Sequence, residues 1–303
     1  MTTTQGPNTT KLAVIGGSGL YEVPGVAELE RVHVMTPYGD PSDAIVRARL
    51  EGGGGAELLF LPRHGRGHRT PPHAINYRAN ICALKKLGAT AILSISATGS
   101  LKESIEPGDL VVIDQFIDLT KRRVSSFFER VAAHVAFADP VCPRLASAVH
   151  AAATAVAQEA SASGRPFRVH QGGTYVCMEG PQFSTRAESL IYRSWQASLI
   201  GMTCMPEAKL AREAELPYAT LGLATDYDCW HASEEAVDVT AVVARMHTMA
   251  EHAHGVVRAL AASMPDLSES LAQSALRGAI MTSAGAIDAA AKAELAWLLE
   301  PGS

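Results

Sequence analysis

Two carboxylates one residue apart, Asp226 and Asp228, end an apolar run that begins at Tyr218 and reads Tyr-Ala-Thr-Leu-Gly-Leu-Ala-Thr. Such a pair can hold a proton on one member and a charge on the other, which suits protonating a leaving group or reading a hydrogen-bonding ligand edge. Two acids together are costly to bury without partners, and a surface turn, where Asp is common, is the competing account. Trp230 favours a site, because a large apolar side chain there would hold the pair against the body of the protein. A second concentration of chemistry is Pro62-Arg63-His64-Gly65-Arg66-Gly67-His68-Arg69. Arginine's planar fork matches phosphate or carboxylate, so an oxyanion is the expected ligand of this cationic lip. His64 and His68 have the four-residue spacing of zinc ligands on a helix. Gly65 and Gly67 oppose a helix, however, and no nearby Cys or Glu completes a ligand set, so no metal is expected. Solvated surface charge is the competing account of Arg66 and Arg69.

The elements that must position these groups share one habit: short apolar strands that end in glycine or hydroxyls. Residues 11–15 form a strand that breaks into Gly16-Gly17-Ser18-Gly19, a turn able to wrap an anion in backbone N–H groups or simply to turn the chain. It is a poor dinucleotide fingerprint, since the final glycine expected from Gly17 falls on Glu22. Glu57–Leu61 is a strand following a hairpin tip, Gly52-Gly53-Gly54-Gly55. Ala91–Ile95 is another, stopping in Ser96-Ala97-Thr98-Gly99-Ser100, and Leu110–Ile113 leads into Asp114-Gln115-Phe116-Ile117-Asp118. Further strands end at Glu179-Gly180-Pro181-Gln182-Phe183 and at Leu199-Ile200-Gly201-Met202-Thr203. Tyr218–Ala224 lacks alternation, as expected of a strand buried on both faces of a parallel sheet. Helices are expected from Ile81 to Leu87 with Gly88 past the end, over 143–163, after Thr185 with Glu188 at capping-box spacing, over 206–215 and over 234–263. In an open α/β sheet, ligands bind beyond the carboxyl ends of strands, where these polar groups fall.

Composition limits the classes of function. With 303 residues, 47% hydrophobic and 19% charged, the chain is long enough for a large core. A formal net charge of −5 gives no basic surface for nucleic acid or membrane. Five scattered cysteines without a Cys-x-x-Cys favour reduced thiols and a cytoplasmic setting. Residues 1–10 are polar and read as a disordered tail, 11–303 as one domain, and the segment after Pro265 as one or two helices closing it. That last segment is also placed to serve as a lid.

Taken together, the motifs resemble the trimeric purine nucleoside phosphorylases, and within them the group that acts on 5'-methylthioadenosine. The resemblance runs over residues 11–262. It rests on Ile15-Gly16-Gly17-Ser18-Gly19-Leu20, Pro62-Arg63-His64-Gly65, Asn76-Tyr77-Arg78-Ala79-Asn80 and Pro107-Gly108-Asp109 with Asp114-Gln115-Phe116-Ile117-Asp118. Glu179 through Glu188, Met202-Thr203 and Ala224-Thr225-Asp226-Tyr227-Asp228-Cys229-Trp230 complete the ordered set. The family implies an α/β fold with a mixed, twisted central sheet flanked by helices, and a homotrimer or hexamer. It also implies phosphate as co-substrate with no other cofactor. Phosphate would contact Ser18, Arg63, His64, Ser96 with the Ala97 backbone, and Thr203. Ser18 and Ser96 stand where relatives often carry threonine, and keep the hydroxyl. The nucleoside would lie against Phe183 and Met202, with Asp226 and Asp228 facing the purine and Ser184 and Val239 tuning the pocket. His134 would reach a neighbouring subunit's site.

The implied reaction is phosphorolysis of 5'-methylthioadenosine to adenine and 5-methylthioribose 1-phosphate, in purine and methionine salvage. Its chemistry accounts for these residue types. Breaking the glycosidic bond builds positive charge on the sugar, which phosphate stabilises and attacks, and negative charge on the purine, which an acid at Asp226 would relieve. Three other readings stand beside it: a phosphorylase of 6-oxopurine nucleosides or of adenosine, a non-catalytic purine-binding protein on the same scaffold, and a dinucleotide-dependent oxidoreductase.

Overall fold

The computed structural model describes residues 10–17, 23–231 and 239–299, and for 239–244 and 247 the backbone alone. Eleven strands form one mixed sheet among these residues. Its first part runs β2 (Val26–Val32), β3 (Ile45–Leu50), β4 (Glu57–Pro62), β1 (Lys11–Gly16), β5 (Ala91–Ser100). It continues through β10 (Leu199–Gly201) and β9 (Thr174–Cys177) to β7 (Gln115–Asp118). A branch leaves β5 through β11 (Tyr218–Asp226) to β6 (Leu110–Ile113) and β8 (Val169–Gln171). β2 and β3 carry charged residues at alternate positions, so the sequence does not distinguish them as buried strands. They pair antiparallel, and β3–β4 is the hairpin whose tip holds the four glycines.

β1 and β4 are apolar along nearly their whole length because both faces are covered. Leu12 and Val14 of β1 enter one core cluster, Ala13 and Ile15 the other, and Leu58 and Phe60 of β4 are divided from Leu59 and Leu61 in the same way. One face packs under α2 (Pro143–Ala162) and α5 (Val239–Ala262), through Leu145, Val149, Met249, Val256 and Leu260. The other packs under α1 (Tyr77–Lys86), α4 (Cys204–Glu213) and α6 (Ala289–Leu299), through Ile81, Leu84, Leu210 and Leu295. α1 starts a turn earlier than expected, at Tyr77, because the Asn76 side chain caps it by accepting from Ala79 N. α3 (Arg186–Ser194) opens with the Thr185/Glu188 capping box.

Two departures from expectation shape the site. β5 does not stop at Ile95 but continues to Ser100, because β11 pairs with it from Ile92 to Gly99 and completes its hydrogen bonds along that edge. On its other edge β5 is paired by β1 only as far as Ser94 and by β10 only from Gly99. Residues 95–98 therefore face a gap in the sheet where the strand order branches. The tail after Pro265 does not cover this gap. Ile280 bridges Ala133, Ala279 O accepts from His134 N, and Trp297 stacks edge-on against Phe127 at 4.9 Å, so the tail packs beside residues 127–134. Residues 1–9 lie outside the described residues, whereas Thr10 already joins the sheet by accepting from Glu57 N.

Candidate active site

The gap in the sheet opens into a cavity of about 200 Å³. Its walls bring together most of the expected site residues: Arg63, His64, Ser96, Ala97, Thr203, Phe183, Met202, Asp226 and Asp228. Gly17 of the glycine turn is among them, while Ser18 lies outside the described residues. Met246 and Ala250 of α5 close it from above the sheet.

Arg63 is not on an exposed lip. It leaves the end of β4 and turns inward, 1% exposed, into the space between β1 and β5. Its Nη1 donates to Ile95 O at 3.0 Å and its Nη2 to Ser94 Oγ at 2.7 Å and Ile15 O at 3.2 Å. Its Nε donates to Glu207 Oε2 at 2.9 Å, and Nη2 reaches Glu207 Oε1 at 3.2 Å. Glu207, equally buried, also accepts from Tyr218 Oη at 3.0 Å. A buried cation needs such matching, and one Nη1 hydrogen has no protein acceptor among the described residues. Arg66 and Arg69 behave as surface charge, exposed or nearly so.

His64 donates from Nδ1 to the Thr70 carbonyl at 2.9 Å, which fixes the tautomer because a carbonyl only accepts. Burial, joined by the Arg63 charge, pushes the ring down to about 4, so it is neutral at pH 7 with Nε2 as an acceptor. His68 stacks on it at 4.2 Å in a left-handed backbone conformation, and burial lowers its pKa too. Ser96 Oγ lies 3.1 Å from Thr203 Oγ1 and 3.3 Å from Tyr175 Oη, forming a small hydroxyl cluster beside Ala97.

The two carboxylates are set by a bulge. The β5–β11 register slips between Ala224 and Asp226, which re-aims the end of β11 at Gly99. A Cβ on Gly99 would stand 3.0 Å from Asp226 Oδ1 and 3.2 Å from Asp228 Cβ, so any larger residue there would press on the pair. Asp226 accepts from Thr225 Oγ1 at 2.7 Å and from Asp228 N at 2.8 Å. Asp228 is 4% exposed, and its Oδ2 has no hydrogen-bond partner among the described residues. Burial, with a smaller push from Asp226, lifts Asp228 to about 6. The nearby Ser189 hydroxyl favours its charged form, yet Ser189 Oγ also completes no hydrogen bond. The structure thus marks Asp228, rather than only Asp226, as a member of the pair that burial disposes to keep a proton. Trp230 anchors the segment as expected, donating to Ser100 O at 2.8 Å under the Arg193 guanidinium.

Other expected residues stand apart. Ser184 is part-buried behind the wall, its hydroxyl 3.5 Å from Met178 Sδ. His134 is exposed on the segment braced by the tail and does not line this cavity. The Val239 side chain lies outside the described residues. Sequence reasoning missed Glu207, Tyr175, Thr98, Met178 and Arg123. Ser94 and Ser96 left a usable signal, hydroxyls two apart on one face of an apolar strand. The buried partner of Arg63 left none.

Among the described residues no group of three or more His, Cys, Asp or Glu is placed to hold a metal ion. No helix of these residues is long and apolar enough to cross a membrane. The sequence profile of the Phosphorylase superfamily matches residues 11–262. An S-methyl-5'-thioadenosine phosphorylase of Geobacter sulfurreducens is 50% identical over 94% of this chain and 96% of its own. One from Thermosynechococcus vestitus is 47% identical over 96% and 98%. Among solved structures, a methylthioadenosine phosphorylase from an antarctic soil metagenomic library superposes with a TM-score of 0.87 at 46% identity, covering 97% of this chain and 100% of that one. The Schistosoma mansoni enzyme in complex with adenine gives 0.80 at 33% identity over 90% and 99%. With a strand-end cavity that places a buried arginine and a buried carboxylate pair along the branch in its sheet, the chain belongs to the phosphorylase superfamily.

Proposed function

We propose that the protein cleaves 5'-methylthioadenosine with inorganic phosphate, giving adenine and 5-methylthioribose 1-phosphate. The observation that carries this reading is the pair of carboxylates at the bulged end of β11, Asp226 accepting from Thr225 Oγ1 and Asp228 N, and Asp228 lifted to about 6 by burial. A 6-amino purine presents a donor at its exocyclic amine and gains a proton at N7 as it leaves. A carboxylate and a carboxylic acid match those two needs, whereas a 6-oxo group would meet a carboxylate as acceptor against acceptor.

Phosphate is assigned to Arg63, His64, Ser96, the Ala97 backbone, Thr203 and, outside the described residues, Ser18. Supporting this are the unused Nη1 hydrogen of Arg63, the Nε2 acceptor of His64 for a phosphate O–H, and the Ser96–Thr203 hydroxyl cluster. A phosphate oxygen forms the bond to C1' as the C1'–N9 bond breaks. The electron pair passes into the purine, and the carboxyl pair delivers its proton to N7. Phe183 and Met202 flank the nucleoside, and Ser184 and Val239 tune the pocket. His134, exposed and held outward by the tail, completes a neighbour's site in a homotrimer or a dimer of trimers. The chain from Lys11 onward folds as one unit, and its free thiols suit the cytoplasm.

The test is a substrate panel with and without phosphate. Adenine release from 5'-methylthioadenosine that requires phosphate, at far higher kcat/KM than for 5'-methylthioinosine, is the expected result. Preference for the inosine compound would replace this reading with the 6-oxopurine phosphorylase, and release without phosphate would exclude both.

A further inference from the structure

Arg123 is a second buried arginine, and it makes no contact with the anion-facing residues. Its side chain is 1% exposed. Nη1 donates to Met202 O at 2.7 Å, to Met205 O at 2.6 Å and to Tyr77 Oη at 2.9 Å. Nη2 donates to Glu179 O at 2.6 Å and more weakly to Met178 O at 3.4 Å, and Nε faces Glu179 Oε1 at 3.4 Å. The planar fork thus ties the chain leaving β9, at Met178 and Glu179, to the chain leaving β10, at Met202 and Met205. These are the two segments whose side chains Met178 and Met202 line the cavity.

Beyond Cys177 and Gly201 the β9–β10 ladder has ended, with Met178 N donating to Gly201 O as its last rung. Gly180 lies against Met202 so closely, at φ +68°, that a Cβ there would stand 2.5 Å from Met202 Sδ. A methionine is flexible and fills whatever space its backbone allows, so its place in a wall is set by the backbone beneath it. Spending most of a buried cation's donors on backbone carbonyls fixes that backbone, because Met202 O and Glu179 O would each lose a charged donor without Arg123.

We infer that Arg123 is a positioning residue for the nucleoside half of the site: it sets the spacing of the Met178 and Met202 walls, and so the fit of purine and ribose, without taking part in phosphate binding. The inference rests on the placement of the nucleoside against Met202 given above. A residue that merely stabilises the fold would weaken both substrates together, so the readout is the split between two Michaelis constants.

Arg123→Met, Arg123→Lys and Met202→Ala are made in the full chain and checked by circular dichroism and thermal melting. KM is then measured for 5'-methylthioadenosine at saturating phosphate, and for phosphate at saturating nucleoside. Arg123→Met should raise the nucleoside KM by about tenfold or more while the phosphate KM stays within about threefold. Guanidinium ion added at a non-denaturing level should restore nucleoside binding in Arg123→Met and leave the parent unaffected. Arg123→Lys, which keeps the charge but reaches fewer carbonyls, should fall between and carries the test if Arg123→Met does not fold. Parallel rises in both constants, or an unchanged nucleoside KM in a folded variant, overturn the inference. An unchanged nucleoside KM in Met202→Ala overturns instead the placement of the nucleoside on which it rests.

Discussion

At one end of the cavity the Arg63 guanidinium is met by the Glu207 carboxylate, a hydroxyl and two carbonyls, whereas at the other Asp228 is buried with an oxygen that nothing among the described residues hydrogen-bonds. Both ends bury charge-bearing groups at strand termini, but they resolve the desolvation cost differently. The Arg63 end compensates it within the protein, so the group is charged and fixed before any ligand arrives. The Asp228 end leaves it uncompensated and holds a proton more readily instead. A preorganised cation suits an anion that must be held throughout the reaction. A carboxyl poised near neutrality suits a proton that must move.

Breaking the matched end should have the largest effect. Arg63→Met leaves Glu207 buried without its partner and should destabilise the fold by about 3–5 kcal/mol, read as a lowered denaturant midpoint. Arg63→Met combined with Glu207→Leu removes both charges and should recover most of that stability while the phosphate KM stays high. If the double variant regains phosphate affinity, Arg63 serves the fold alone. Next in size is the base end. Asp226→Asn offers an amide N–H to a 6-oxo group, so the ratio of kcat/KM for the inosine to the adenosine compound should rise by about ten- to hundredfold. An unchanged ratio would remove Asp226 from base recognition.

The third prediction follows from the raised pKa of Asp228. A carboxyl whose folded value, about 6, exceeds its ordinary 3.8 favours the folded state at low pH. It opposes folding as pH rises through that value and the charge must be carried in a buried site. Asp228→Asn should therefore stabilise the protein by about 1–3 kcal/mol at pH 8 and hardly at all at pH 4, while lowering activity. Equal melting shifts at both pH values would contradict the burial account. The smallest effect is expected at the hydroxyl cluster: Ser96→Ala should raise the phosphate KM by about three- to tenfold, one neutral hydrogen bond's worth, and leave the nucleoside KM alone.

Much of this was legible in advance because it is local. The Thr185/Glu188 box sets a helix start through backbone N–H groups a few residues away, whereas the Asn76 cap, equally local, was not read. The apolar run before Asp226 predicts a doubly covered strand because burial on both faces removes alternation. The strand-end rule gathered Arg63, Ser96, Met202, Thr203 and Asp226 into one place from positions far apart in the chain.

What the chain could not reveal locally is which charges are satisfied. Arg63, Arg66 and Arg69 look alike in a glycine-broken run, yet only Arg63 points inward, since only it sits at the end of a strand with an acid, Glu207, across the sheet. Arg123 sits in a polar loop beside Lys121 and Arg122, and nothing in that run separates it from them. Its role depends on four carbonyls contributed from 55 to 82 residues away. The amino-acid sequence by itself determined most of the central strands and helices, the family and the chemical types at the strand ends, because these follow from propensity, patterning and short-range hydrogen bonds. The tertiary structure alone decided the protonation of Asp228, the neutrality of His64 and the burial of both arginines, because desolvation and charge pairing depend on what lies within a few ångströms in space, however distant in the chain.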